Sequence, residues 1–517
     1  MVTPPPSAAP PAETDARRPA SRPLGFAVGA MQGQILNPHP GDEAVAFRGA
    51  AYDSRGVRPG RLFFALPGAR VDGFDFCAEA ESRGAAALVV AAARGLPGAP
   101  TIPVVAVADP LQALAALARA ARAAFTGAVV AITGSNGKTT TKELCAAALG
   151  TVGPVLRTAG SLNTEVGLPI TILEAVGDEG YWVLELAMRG RGQIAALTEI
   201  ARPDVGVITN VGAAHLELLG SLEEVARAKG ELFAGLGPSA IAVFPGGDRL
   251  IEAEAAHLPE ARKLRFQGGE SRRPAATERA GLDVHVDLDA DLDVEIVDTA
   301  SDGVGGQQVT YRVKRETVTA RLPLVGIHNA RNGAAALAVA SALGVSPWRA
   351  AEGLSAVVLP PHRSHAIAAG GRTVLDDCYN ANPGSMRAGL AMLVATAGDR
   401  HRAYAVLGDM LELGPDSEEL HRALGREVGP EVTGLGVVGE LARHIAAGAE
   451  EAGLDPARIV AGRDPAAVAE TVAGWTLPGD VILVKASRGA RLERAVEALR
   501  AKLGAEPNTK PEGEADV

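Results

Sequence analysis

The segment that most restricts the fold is residues 128–150, where AVVAIT runs directly into GSNGKTT and then into the helix-spaced KELCAAAL. An unbroken apolar run of this kind reads as a strand buried on both faces, as in a parallel sheet covered by crossover helices. Gly134 and Gly137 let backbone amides approach an anion, and a helix starting near Lys138 points its free N–H groups at the same place. Strand, turn and helix together predict a phosphate loop of Gly134, Ser135, Asn136, Gly137, Lys138, Thr139 and Thr140, shorter than the usual GxxxxGK[ST] form. In it Lys138 offers a mobile positive charge to the outer phosphates of ATP, and Thr139 offers a hydroxyl to Mg2+. A chance Gly-Lys-Thr in an ordinary turn is the competing reading, which the register of strand, turn and helix disfavours.

WVLEL and VGVITN repeat the buried-strand pattern downstream and extend the parallel sheet. A length of 517 residues exceeds one ordinary core and gives a prior of about three domains. The predicted order is a tail over 1–23, a small α/β domain over 24–124, a central nucleotide-binding domain over 125–358, a third, Rossmann-like α/β domain over 359–503 and a tail over 504–517. The tails are rich in Pro, Ala and charge, and cannot bury enough apolar area to offset ordering. Within the central domain, alternation near 283–323 predicts an antiparallel appendage. RTVLDD, YAVLGD, GLGVVG and DVILVKA are the strand candidates of the third domain.

Apolar content of 47% with 21% charged residues belongs to a soluble globular protein. The net charge of −11 argues against general affinity for nucleic acid or anionic membranes and favours small-molecule partners. Three widely spaced cysteines, Cys77, Cys145 and Cys378, fit neither a disulfide framework nor a zinc motif. No run approaches the roughly 20 apolar residues of a membrane span, and no signal peptide opens the chain, so a cytoplasmic protein is expected; a monomer is the expectation for its assembly, on which the sequence itself is silent.

TGSNGKTT resembles the Mur ligase family, and further blocks carry that resemblance from about residue 50 to 500: SLNTEVGLP, ELAMRGRGQI, ITNVGAAHLE, ARAKGELF, GIHNARN, PPHR and DDCYNANP. The wording TNVGAAHLE, AKGE and YNANP is most similar to the branch whose acceptor is D-alanyl-D-alanine and whose donor is a UDP-N-acetylmuramoyl tripeptide. The resemblance implies an ATP-dependent, ADP-forming ligase of peptidoglycan precursor synthesis that works through an acyl phosphate. A sibling ligase with another acceptor, and a nucleotide-binding module that switches without ligating, are the alternatives.

Residue by residue, Glu185 ends the strand YWVLEL, where parallel sheets present ligands, and with Thr139 it is a candidate holder of one Mg2+; a strand-end carboxylate facing water is the plain alternative. A lone histidine is more often structural, but the resemblance makes His215 part of the metal and acyl-phosphate site. Lys229 lies in a predicted helix, where a solvated lysine is the ordinary expectation; by resemblance it carries a carbamate and holds a second Mg2+ beside His215. Asn163, with Thr164 beside it on the substrate side, corresponds to a family asparagine near the acyl acceptor, or else caps a loop. Asn329 and Asn332 share one helix face; Asn329 is a candidate for the adenine edge, and either residue also suits a cap.

The resemblance takes Arg363 to the phosphates and Asp377 to the ribose, and places Tyr379, Asn380 and Asn382 along the nucleotide and amine side. Lys485, Ser487 and Arg488 are candidates for the dipeptide carboxylate. Ser54 and Arg55 are candidates for the uridine diphosphate. Three departures from the family wording stand out: Cys378 where Ser is usual, Ala486 where Gly is usual, and PGGD after AVF.

Overall fold

The computed structural model describes residues 18–68, 71–213, 216–268, 291–301, 305–398 and 402–504. Three sheets organise them. The first runs in the order Gln34–Ile35, Val104–Val107, Ala87–Ala91, Leu62–Phe64, Ala50–Ala51, parallel except for its first strand. Ordering begins earlier than the tail expected over 1–23: Arg22–Pro23 pairs antiparallel with Ala46–Phe47. The reason is Leu24, which opens the helix Leu24–Met31 fully buried in the core and anchors the residues before it. Residues 1–17 and 505–517 lie outside the described residues.

In the central nine-stranded sheet the predicted strand Ala128–Thr133 lies between Tyr181–Glu185 and Val205–Ile208, parallel to both. Val129 through Ile132 are fully buried, as an unbroken apolar run requires when helices cover both faces. Ile241–Gly246 and Lys263–Gln267 continue the parallel part. Val294–Ser301, Gln307–Val313 and Glu316–Leu322 then form the antiparallel appendage. Its period is legible in burial: Gln307, Val309, Tyr311 and Val313 face inward while the residues between them do not. The first part of the predicted alternation, 284–290, lies outside the described residues.

The third sheet runs His365–Ala369, Arg372–Asp376, Val481–Lys485, Ala403–Gly408, Gly434–Val438, Ile459–Gly462, with only the first strand antiparallel. All four of its predicted strands form; the two edge strands were not foreseen.

One apolar core joins the first sheet's layer to the central one. The helix Pro110–Ala123 packs between them, and Leu114, Leu168, Leu184 and Ile194 share the same buried cluster. Arg61 reinforces the junction by pairing with Glu174 at 2.7 Å. The third sheet has its own cores, around Leu393 and Leu435 on one face and Val468 and Ile482 on the other. Polar side chains meet the central sheet's layer at the ends of strands, Asn382 with Asn136 and Tyr379 with Ser161, where parallel sheets gather their ligands.

Candidate active site

The turn after Thr133 has the backbone a phosphate loop needs. Gly134 and Gly137 have φ of +150° and +77°, and a Cβ at either would lie 1.9 Å from the Thr209 hydroxyl or 2.6 Å from the Asn332 amide oxygen. Neighbouring groups hold the turn in shape. Asn136 donates its backbone N–H to Asn210 Oδ1 (2.9 Å), and its carbonyl accepts from Asn210 Nδ2 (3.0 Å) and from the Thr209 hydroxyl. The Ser135 hydroxyl and backbone Gly212 exchange two bonds of 3.0 and 2.9 Å. Thr209 and Asn210 come from the quoted ITN block, but their work in supporting the loop was not predicted.

The helix Lys138–Gly150 begins at Gly137, so its unpaired amides face the loop. Lys138 Nζ donates to the carbonyls of Gly134 (2.8 Å) and Ser135 (3.3 Å), which keeps the ammonium over the loop. Burial lowers its pKa, opposed by the Glu185 carboxylate and assisted by the Arg363 cation. Glycine spacing, loop support and a held lysine make a cradle that fits a nucleotide polyphosphate.

Glu185 connects two sides of the site. One oxygen accepts from the Thr139 hydroxyl and the other from Asn163 Nδ2, each at 2.8 Å, and the carboxylate is buried. Thr139 and Glu185 thus present adjacent oxygens suited to a hard cation beside the loop. Thr164 accepts from Gly167 N–H (3.4 Å) at the start of the next helix and also lines the cleft. Lys229 is 2% exposed, and burial, with the nearby Lys138 ammonium, lowers its pKa well below that of an ordinary lysine. The solvated lysine is therefore corrected to a buried one. His215 lies outside the described residues.

These groups open into a cleft of about 1030 Å³ whose far wall belongs to the third sheet: Arg363, Asp377, Tyr379, Asn380, Asn382 and Lys485. The Arg363 guanidinium stacks 3.8 Å over the Tyr379 ring, with Arg488 at 5.0 Å. Asn382 Nδ2 donates across the cleft to Asn136 Oδ1 (2.8 Å), and Tyr379 is hydrogen-bonded to Ser161. Asp377 pairs with Lys485 (2.5 Å) and accepts from Ser364 N–H (3.0 Å). Lys485 thus lines the cleft with its ammonium engaged by Asp377.

Other predicted residues are engaged by partners within the protein, Asn329 and Asn332 among them while lining the cleft. Ser487 is buried, donating to the Ala381 carbonyl (3.1 Å) and accepting from Leu411 N–H (3.0 Å), so its hydroxyl supports the wall from behind. Asn329 and Asn332 cap nothing at their helix start, which is Gly326; they form a buried chain from Val325 through Asn329 and Asn332 to Thr141. Ser54 donates to Glu79 (2.8 Å), Arg55 pairs with Asp53 (2.6 Å), and neither lines this cleft.

Two further residues were missed. Lys142, fully buried, donates to the Thr158 carbonyl (2.6 Å) and pairs with Glu143 (2.8 Å), which in turn meets Arg157 (2.7 Å). The Thr158 hydroxyl accepts the Glu185 N–H (2.9 Å), so this ion cluster fixes the backbone that presents Glu185. Lys142→Met leaves Glu143 short of a buried partner and is expected to cost about 3 kcal/mol in urea unfolding. Adding Glu143→Gln should restore part of that loss; strictly additive effects would contradict the coupling.

His328 lies in the cleft wall, its pKa lowered to about 4 chiefly by burial, with Lys485 and Arg331 opposing protonation and Asp377 favouring it. The unfolded chain takes up this proton near the ordinary histidine pKa and the folded chain does not. Stability therefore holds above pH 6.5 and falls between 6.5 and 4, by at most about 3 kcal/mol and less where cleft water screens the ring. His328→Gln should flatten that part of the stability profile; an unchanged profile would contradict the neutral ring.

The chain matches three family models: the Mur ligase middle domain over residues 132–340, the Mur ligase glutamate ligase domain over 362–488 and the Mur ligase family catalytic domain over 47–122. UDP-N-acetylmuramoyl-tripeptide–D-alanyl-D-alanine ligase of Mycobacterium bovis is 38% identical over 488 residues, covering 87% of this chain and 91% of that one. Among solved structures, MurF from Acinetobacter baumannii superposes with a TM-score of 0.80 at 27% identity, over 94% of this chain and all of that one. The MurF ligase of Thermotoga maritima in complex with ADP gives 0.74 at 30% identity, over 88% of this chain and 98% of that one.

Proposed function

The chain belongs to the Mur ligase family, and from that membership we propose that it joins D-alanyl-D-alanine to a UDP-N-acetylmuramoyl tripeptide, using ATP and releasing ADP and phosphate, in the cytoplasmic synthesis of peptidoglycan precursor. The observation that carries the reading is Glu185, bound through one oxygen to the phosphate-loop Thr139 and through the other to Asn163 on the acyl side.

A terminal carboxylate of the tripeptide attacks the γ-phosphorus of ATP; the new C–O–P link forms as the bond to ADP breaks. The amine of the dipeptide then attacks the acyl carbon, and the tetrahedral intermediate expels phosphate as the amide forms and the amine's proton is lost. Lys138 faces the charge that grows on the transferring phosphoryl group. Thr139 and Glu185 would hold one Mg2+, and His215 with a carbamate on Lys229 a second; bound there, the ions neutralise phosphate charge and polarise the transferring group. Burial leaves the Lys229 amine readily neutral, the form that reacts with CO2.

Asn163 and Thr164 face the acyl substrate, Arg363 the phosphates, Asp377 the ribose, and Asn329 with Asn332 the base side of the nucleotide. Tyr379, Asn380 and Asn382 line the nucleotide and amine side, with Lys485 holding Asp377 in place. Ser54 and Arg55 take the uridine diphosphate once their present partners, Glu79 and Asp53, yield to it. The protein acts as a monomer on small molecules, without nucleic acid or membrane insertion. Bringing the two cleft walls together excludes water, which protects the acyl phosphate.

The test is phosphate release from ATP, Mg2+ and UDP-muramoyl tripeptide with D-alanyl-D-alanine or single amino acids in parallel. Turnover with the dipeptide alone is expected. Turnover with a single amino acid would move the chain to a sibling specificity, and none with any acceptor would overturn the ligase reading.

A further inference from the structure

His362, Asp376 and Cys378 place one nitrogen, one oxygen and one sulfur within 4.8 Å of one another. His362 Nδ1 lies 2.8 Å from one Asp376 oxygen, and Cys378 Sγ lies 3.1 Å from the other. Asp376 and Cys378 are buried, whereas the His362 ring is 37% exposed and opens the cluster to solvent. The backbone aims His362 inward: its φ is +65°, uncommon outside glycine, and its carbonyl accepts the Tyr379 N–H at 3.0 Å. None of the three lines the nucleotide cleft, yet each directly precedes a residue that does, namely Arg363, Asp377 and Tyr379.

We propose that His362, Asp376 and Cys378 form a second cation site, selective for a borderline-soft divalent ion such as Zn2+ and separate from the Mg2+ chemistry of the cleft. Imidazole, carboxylate and thiolate are the ligands that such an ion takes in tetrahedral sites, with water at the fourth position, whereas Mg2+ prefers oxygen alone. Without the ion, the thiol donates to Asp376, and burial together with that carboxylate keeps it protonated. On binding, the S–H bond breaks, a sulfur–metal bond forms and one proton leaves to solvent. Two ligand negative charges then balance the dication inside the buried pocket, with His362 neutral.

Metal–ligand bonds of about 2.0–2.3 Å need ligand separations of roughly 3.3–3.5 Å. The two contacts, made to different Asp376 oxygens, must therefore open by a few tenths of an ångström, and ligand atoms as much as 4.8 Å apart must close by up to about an ångström. Because the ligands alternate along the chain with cleft residues, that adjustment reaches Arg363, Asp377 and Tyr379, and occupancy slows ligation.

The experiment titrates the full-length protein with Co2+ and then Zn2+ in excess Mg2+. One equivalent of Co2+ should give a near-ultraviolet thiolate-to-cobalt band that Zn2+ abolishes, with one proton released per ion bound. Cys378→Ser carries the residue usual at this position in the family and should keep Mg2+-dependent turnover while losing the band. Cys378→Ser and His362→Gln should each weaken Zn2+ binding at least tenfold, and Cys378→Ser should lose the slowing of turnover by Zn2+. Absence of the band in the unaltered protein, or its persistence in Cys378→Ser, would overturn the proposal.

Discussion

Lys138→Ala is expected to lower turnover by at least about a thousandfold while leaving the melting temperature nearly unchanged. The rate loss follows from removing the cation that faces a transferring phosphoryl group, where a single electrostatic contact is worth about two to three decades or more. The small stability effect follows from the folded state itself. Nζ holds only two backbone carbonyls, and burial already disfavours its charge. Steady-state phosphate release with thermal unfolding on the same sample checks both halves. A variant with near-normal rate would refute the phosphate-loop assignment, and one that fails to fold would refute the view that Lys138 is held for chemistry.

Lys229→Met should separate function from stability in the opposite sense. The folded amine has its pKa well below the unfolded value, so between those two values the unfolded chain binds a proton that the folded chain gives up. Lys229 therefore costs stability at pH 7, and the cost fades as pH rises towards the unfolded lysine pKa. Methionine fills similar space without a charge to desolvate, so the melting temperature at pH 7 should rise and its increase with pH should flatten. Turnover should fall at least about a hundredfold with the loss of a metal-holding group. Full activity in Lys229→Met, or a melting temperature lowered at pH 7, would contradict this account.

How far the sequence was legible depended on how local the determinants were. AVVAIT and YWVLEL form buried parallel strands because their apolar runs match a sheet covered on both faces, and the glycines of the phosphate loop have the positive φ that its shape requires. Glu185 was legible as a strand-end carboxylate, and its contacts to Thr139 and Asn163 follow from that position. Non-local polar pairing was not legible. Lys142 reads as one more helix lysine until the fold brings Thr158 to it, and its buried i,i+1 neighbour Glu143 was the only hint.

For Ser487 and Asn329 the residue was legible and its partners within the protein were not. Their polar atoms are occupied by backbone and neighbouring amides, because a cleft wall needs internal support as much as ligand contacts. The ordered Arg22–Pro23 pair was hidden by a Pro- and Ala-rich context, since what orders it is Leu24 entering a core built from residues far along the chain.

The central claim is that the carboxylate of the muramoyl peptide is phosphorylated before the amine attacks. It is tested most directly by labelling both oxygens of that terminal carboxylate with 18O, running one turnover with ATP, Mg2+ and D-alanyl-D-alanine, and weighing the released phosphate. Transfer through an acyl phosphate predicts one 18O in each phosphate formed, with the other retained in the amide. Phosphate without label, released alongside the ligated product, would contradict it.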